Sequence, residues 1–190
     1  MTRIIGGIAG SRQLASPAKS TRPTSDRIRE SIFNRLAARD LIFGARVLDL
    51  YAGTGALALE AISREAKSAM MVERDGKAAA VCVANSSTIQ KALEKEGFYD
   101  QMTKVANKSV VNFLASDAGE YDLVFIDPPF DGPWFESALK AAAAAVPLGG
   151  WVYLEAPVAW TDEALGVWGL KLERHLKAGA VHAHLLQRTA

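Results

Sequence analysis

Three short stretches hold the residues best suited to chemistry: Asp49-Leu50-Tyr51-Ala52-Gly53-Thr54-Gly55, the acid Glu73, and Asp127-Pro128-Pro129-Phe130. Glycines at 53 and 55 permit a sharp turn and let a ligand approach the backbone without meeting a Cβ. A helix opening after that turn leaves its first N–H groups unpaired beside it. Glu73 follows Gly55 by 18 residues, the position from which a carboxylate can accept both hydroxyls of a ribose. Gly53 to Ala58 also satisfies the G-x-G-x-x-G/A pattern of dinucleotide sites, so a nucleoside-containing cofactor is expected and two kinds compete. Asp49 bears on the choice. A carboxylate there suits a cationic amine and would repel a pyrophosphate, which favours S-adenosylmethionine over a nicotinamide dinucleotide. The purely structural alternative makes Asp49 a cap for the helix or turn.

Two consecutive prolines end strand pairing and fix an extended turn. Neither has an N–H, so nearby carbonyls stay available as acceptors. Asp127 and the Pro128 carbonyl suit the two hydrogens of an exocyclic amine on a planar base, and Phe130 offers a face for the ring. Such an amine is a poor nucleophile because its lone pair is delocalised into the ring. Acceptors that draw its hydrogens out of plane restore the lone pair toward an incoming methyl. Asp127 then stabilises positive charge developing on nitrogen rather than acting as a strong base. The structural alternative is a rigid loop with Phe130 as a core plug.

These residues need strands to end just before them. Arg3 to Leu14 reads as two short strands with bends at Gly6, Gly7, Gly10 and Ser11. After a Ser-, Pro- and Lys-containing loop over 15–23, Thr24, Ser25 and Asp26 are candidate caps for a helix with Ile28, Ile32, Phe33 and Leu36 at helical spacing. From Arg46 onward strands and helices alternate. Strands are expected at 47–51, 69–73, 104–106, 121–127 and 151–155, with a closing pair near 171–177 and 180–187. Helices are expected at 56–64, 76–96, 110–114 and 134–146. The class is therefore α/β, with βαβ units in a mostly parallel sheet and a C-terminal antiparallel hairpin. Ligands of such sheets bind beyond the carboxyl ends of the strands, where all three stretches fall.

The 190 residues carry a net charge of only +1, unevenly spread. Residues 1–46 hold nine Lys/Arg against three acids, and the remainder is net acidic by five charges. A basic arm (1–44) on an acidic body (45–190) suggests a polyanionic partner held at one end. The arm's phosphate-contact candidates are Arg3, Arg12, Lys19, Arg22, Arg27 and Arg29. Cys82 is the lone cysteine, which excludes an internal disulfide framework and any multi-cysteine metal site; it reads as a small apolar residue. His175, His182 and His184 lack a carboxylate at ligand spacing, so no metal is expected. No apolar run is long enough to span a membrane, and the first residues lack a signal-peptide core, so a cytoplasmic protein is expected.

Asp49 to Gly55, Glu73 and Asp127 to Phe130 resemble the Rossmann-like S-adenosylmethionine-dependent methyltransferases that modify exocyclic amines, with a seven-stranded sheet. More narrowly, Arg3-Ile4-Ile5-Gly6-Gly7 and Arg22-Pro23-Thr24-Ser25-Asp26-Arg27-Ile28-Arg29-Glu30 resemble the bacterial RsmD family, over nearly the whole chain. The resemblance implies methylation of N2 of guanine 966 in 16S ribosomal RNA, within an assembled small subunit, by a monomer that uses no metal and yields S-adenosylhomocysteine. It also implies donor contacts from Asp49, Tyr51, Ala52, Gly53, Thr54, Gly55 and Glu73. The chain departs from the family at Phe130, commonly Tyr, and at Asn107-Lys108-Ser109, where an acid often meets the adenine amine; Ser109 is the substitute. Readings still open are a DNA adenine-N6 or protein-glutamine methyltransferase, a nicotinamide-dependent dehydrogenase, and a non-catalytic RNA-binding assembly factor.

Overall fold

The computed structural model describes residues 2–16, 26–117, 119–130, 132–133 and 135–190. Strands β1 (Thr2–Arg3) and β2 (Gln13–Leu14) pair antiparallel and lead to helix α1 (Asp26–Ala38). Then β3 (Arg46–Asp49), α2 (Ala56–Ser63), β4 (Ser68–Val72), α3 (Gly76–Lys95), β5 (Met102–Ala106), α4 (Val110–Ser116), β6 (Leu123–Ile126), α5 (Phe135–Ala145) and β7 (Trp151–Ala156) alternate. A four-residue helix α6 (Asp162–Leu165) and a 3-10 turn (Gly166–Trp168) precede the hairpin β8 (Leu170–Ala178) and β9 (Val181–Arg188). Alternation is as expected, with most boundaries within two residues. The stretch over 161–168 shows a helix and turn that the apolar pattern does not announce.

The main sheet runs β5-β4-β3-β6-β7-β9-β8, parallel through β7 and antiparallel in its last two pairings. Successive strand residues alternate between two cores, as a pleated sheet covered on both faces requires. Val47, Met71, Phe125 and Tyr153 face α1, α2 and α3. Leu48, Val72, Val124 and Leu154 face α4, α5 and α6. On the first face Phe33 of α1 packs on Phe125 at 5.6 Å, and Phe125 meets Tyr153 edge-on at 5.9 Å. The N-terminal helix thus shares the core of the α/β body.

Chain order reverses at β3: the path runs outward through β4 and β5, then returns to β6 on the other side. The carboxyl ends of β3 and β6 therefore open into the crevice that this topology creates. Among the described residues, no helix is long and apolar enough to cross a membrane, and no cluster of three His, Cys, Asp or Glu could hold a metal ion.

The arm is docked on α2 through its backbone. The Ile5 and Gly6 N–H groups donate to the two oxygens of Glu60 at 2.8 and 2.9 Å. Ser63 Oγ accepts from Ala9 N–H and donates to the Gly6 carbonyl. The Arg3-Ile4-Ile5-Gly6-Gly7 stretch is thereby a clamp on the helix that carries the glycine turn.

Candidate active site

β3 ends at Asp49, and the chain turns through residues 50–55 into α2. The Leu50 N–H donates to the Phe125 carbonyl of β6, and the Ala52 N–H to the Val72 carbonyl of β4, so the turn is tied to both neighbouring strands. Gly53 and Gly55 have φ of 55° and 85°, a region costly for residues with a Cβ. Their surroundings differ. A Cβ on Gly53 would meet nothing within 4 Å, whereas one on Gly55 would press on Cys82 Sγ at 3.0 Å and on Leu59 and Met71 at 3.2 Å. Gly55 is there for packing against α3; Gly53 borders open space where a ligand can approach the backbone.

Glu73, just past β4, is held by that turn: its carboxylate accepts from Gly53 N–H at 3.1 Å and from Asp75 N–H at 2.8 Å. Asp49 is 1% exposed and accepts from the Tyr51 N–H at 3.3 Å. It therefore does cap the turn, without losing its place in the crevice. Burial, with the negative charges of Asp127 and Glu73 beside it, pushes its carboxyl up to about 8. Three acids thus converge, Asp49, Glu73 and Asp127, drawn from β3, β4 and β6. A pyrophosphate would meet carboxylates here; a sulfonium and an amine would be welcomed. The donor set fits S-adenosylmethionine and not a dinucleotide.

Asp127 is half-buried, Pro128 buried, Pro129 exposed and Phe130 half-buried. Phe130 packs partly against the core and lies 6.3 Å from Phe135, which in turn contacts Trp160 at 6.4 Å. The backbone N–H of Trp160 donates to Nε2 of buried His184 at 2.9 Å. Burial pushes His184 down to about 4, so near neutral pH the ring is an uncharged acceptor.

Ser109 caps α4, its Oγ accepting from the Asn112 N–H at 3.2 Å. Asn107 donates to the carbonyls of Glu73 and Arg74, both at 2.9 Å, which fixes the edge of the crevice beyond β5. Cys82 is buried and its thiol is pushed up to about 12 by burial, in keeping with an apolar packing role.

Among the arm's cations, Arg3, Arg12 and Arg27 are at the surface, with Arg3 Nε 3.2 Å from Asp26. Lys19 and Arg22, with the candidate caps Thr24 and Ser25, lie outside the described residues. Arg29 requires correction as a phosphate contact. Its side chain is 1% exposed, donating to the Arg3 carbonyl at 2.8 Å and to Asp26 at 2.6 Å, with Glu60 at 3.7 Å. It is spent on holding the arm to α2. The sequence pattern also passes over Glu60, Ser63 and Asn85. The available signal was a single acid and a serine in an otherwise apolar helix, and an asparagine in the apolar run of α3.

The chain is similar to known proteins over nearly its whole length. The family model described as Conserved hypothetical protein 95 matches residues 2–187. The Escherichia coli (strain K12) protein named Ribosomal RNA small subunit methyltransferase D is 34% identical over 196 residues, covering 99% of this chain and 90% of that one. A Haemophilus influenzae protein of the same name is 34% identical over 73% of this chain and 68% of its own length. The solved structure named "Putative methyltransferase yhhF from Escherichia coli" superposes with a TM-score of 0.81 at 35% identity, covering 100% of this chain and 98% of that one. With a family model matched over residues 2–187 and a relative 34% identical over 99% of the chain, the chain belongs to the Conserved hypothetical protein 95 family, the RsmD family of the sequence resemblance.

Proposed function

We propose that the protein transfers a methyl group from S-adenosylmethionine to N2 of guanine 966 in small-subunit ribosomal RNA. The observation that carries this reading is Glu73 bound to the Gly53 N–H of the glycine turn, with buried Asp49 at the end of β3 under the electrostatic influence of both Glu73 and Asp127. Gly53, with Tyr51, Ala52, Thr54 and Gly55 around it, would line the donor's path. Glu73 would accept the ribose hydroxyls, Asp49 the amino group, and Ser109 would sit near the adenine. The donor, when bound, supplies an electrophilic methyl on a sulfonium. Asp127 and the Pro128 carbonyl hold the two hydrogens of the target amine, and Phe130 stacks on the guanine. Pro129 keeps the loop extended. As positive charge develops on nitrogen, Asp127 lies beside it, where a fixed carboxylate acts most strongly. Residues 1–44 form the RNA-facing arm, with Arg3, Arg12 and Arg27 as phosphate contacts. The guanine must leave its stack to reach Phe130, at a cost of a few kcal/mol.

The deciding assay is labelled methyl transfer to small subunits lacking the modification, to naked 16S RNA and to duplex DNA, read by nucleoside mass spectrometry. N2-methylguanosine in the RNA of small subunits is the expected product. N6-methyladenine, or label in DNA alone, would overturn the guanine assignment. Tight binding of NAD with none of S-adenosylmethionine would return the dehydrogenase reading.

Donor affinity should depend on pH in a stated direction. Asp49 is pushed up to about 8 in the donor-free protein, and a cationic donor favours its ionised form. Binding therefore releases a proton below about pH 8, and the donor Kd falls as pH rises from 6 to 8, then levels. The stability sign is the reverse. A folded carboxyl raised above its unfolded value of 3.8 contributes stability that is present below about pH 4 and lost as pH climbs toward 8. Calorimetry in two buffers of different ionisation enthalpy at pH 7 checks the released proton. A Kd flat from pH 6 to 9 would refute the linkage.

A further inference from the structure

Asn85 lies on α3, 3% exposed, one turn beyond Cys82, on the face that packs against the glycine turn. Its amide makes three bonds. Oδ1 accepts from the Ala15 N–H at 2.8 Å, and Nδ2 donates to the Ala15 carbonyl at 2.9 Å and to the Thr54 carbonyl at 2.9 Å. An N–H on one side and two carbonyls on the other leave only one way round for the amide. None of these partners belongs to its own helix. Ala15 is 70 residues away, in the arm just after β2 and four residues before Lys19; Thr54 is 31 residues away, between the two glycines of the turn.

Resting on the methyltransferase reading, we infer that Asn85 is the positioning residue that joins the RNA-facing arm to the donor turn, so that each sets the other's place. Three backbone groups that helix and sheet leave unpaired are satisfied by this one side chain. Removing it leaves polar groups on both segments without their partner at once. Because one amide holds both segments, a contact that fixes the arm at Ala15 also steadies the Thr54 carbonyl, and the coupling runs both ways. RNA on the arm should tighten donor binding, and donor in the turn should tighten RNA binding. Ser86, the next residue, donates to Thr103 Oγ1 of β5 at 2.6 Å, which makes it a matched control.

The test uses the full chain and S-adenosylhomocysteine as the calorimetric probe, with methyl transfer to unmodified small subunits as the kinetic readout. Asn85→Ala should weaken probe binding roughly ten-fold, the loss expected of stranded hydrogen-bonding groups. It should raise the KM for subunits several-fold while kcat at saturation stays within about three-fold, by the rule for lost uniform binding. Ala15→Pro removes one N–H at an exposed residue that meets no donor, yet it should weaken probe binding by about three-fold, a part of the same hydrogen-bond loss. Ser86→Ala should leave it unchanged. If Asn85→Ala fails to fold, Ala15→Pro decides. Unchanged probe affinity in the folded Asn85→Ala or in Ala15→Pro, or an equal loss in Ser86→Ala, overturns the inference. A wild type that binds no probe overturns the methyltransferase reading as well; a wild type that binds it while the variants bind equally overturns this inference alone.

Discussion

Replacing Asp127 with alanine should lower the single-turnover rate of methyl transfer by about 10²–10³-fold, the range seen when one preorganised group at a developing charge is removed. The donor should still bind. The reason lies in where the carboxylate sits: two residues past Phe125, which is in register with Asp49, at the mouth of the crevice between β3 and β6. Its charge also acts on Asp49. Without it, the buried Asp49 ionises more readily, so the pH at which donor affinity levels off should move down. Asp127→Asn keeps one acceptor oxygen and loses the charge. Its rate should fall between wild type and alanine, while its pH shift should match alanine's. Phe130→Ala, by contrast, removes a stacking face and should act mainly on the KM for RNA, at about 1–3 kcal/mol. Wild-type rates in Asp127→Ala would show that the loop does not hold the amine.

How much of this was legible beforehand depends on how local the signal is. β6 announced itself because Leu123–Ile126 is an unbroken apolar run buried on both faces. α1 did so because Ile28, Ile32, Phe33 and Leu36 repeat at helical spacing and all are buried. The glycine turn after β3 was readable for the same reason, since its positive-φ glycines stand within a few adjacent residues. α6 has four residues, too few for any period to show. Arg29 and Arg27 look alike in sequence, yet one is buried and the other exposed. What separates them is helix facing and Glu60, 31 residues later, and no local pattern reports a partner at that distance. Asn85 is the same case, its role being written in Ala15 and Thr54.

Glu60→Ala should be strongly destabilising. The carboxylate is wholly buried, and it accepts from Ile5 N–H, Gly6 N–H and Arg64 Nε at 2.8–2.9 Å, with Arg29 at 3.7 Å. Burying an ion pair gains little over a well-packed apolar alternative, but deleting one partner leaves the other charge stranded, at about 3–5 kcal/mol. Arg29 would be that charge, 1% exposed and left with Asp26, which is itself half in water. Two arm N–H groups would lose their acceptor as well. Against a total stability of about 5–15 kcal/mol, such a loss should lower Tm by roughly 10 °C in a chain of this size. Arg39 and Glu173 provide the contrast: a surface pair at 3.8 Å, 42% and 23% exposed, whose removal should cost less than about 1 kcal/mol. Thermal melts followed by circular dichroism separate the two. The functional consequence precedes unfolding, because Glu60 docks the arm on the helix that opens from the glycine turn. At temperatures where Glu60→Ala is still folded, its KM for small subunits should already be raised, and Glu60→Gln, which keeps an acceptor for one of the two N–H groups, should recover part of that loss. A Glu60→Ala protein that melts with the wild type would mean the arm is held to α2 by its apolar contacts, with the buried carboxylate contributing nothing net.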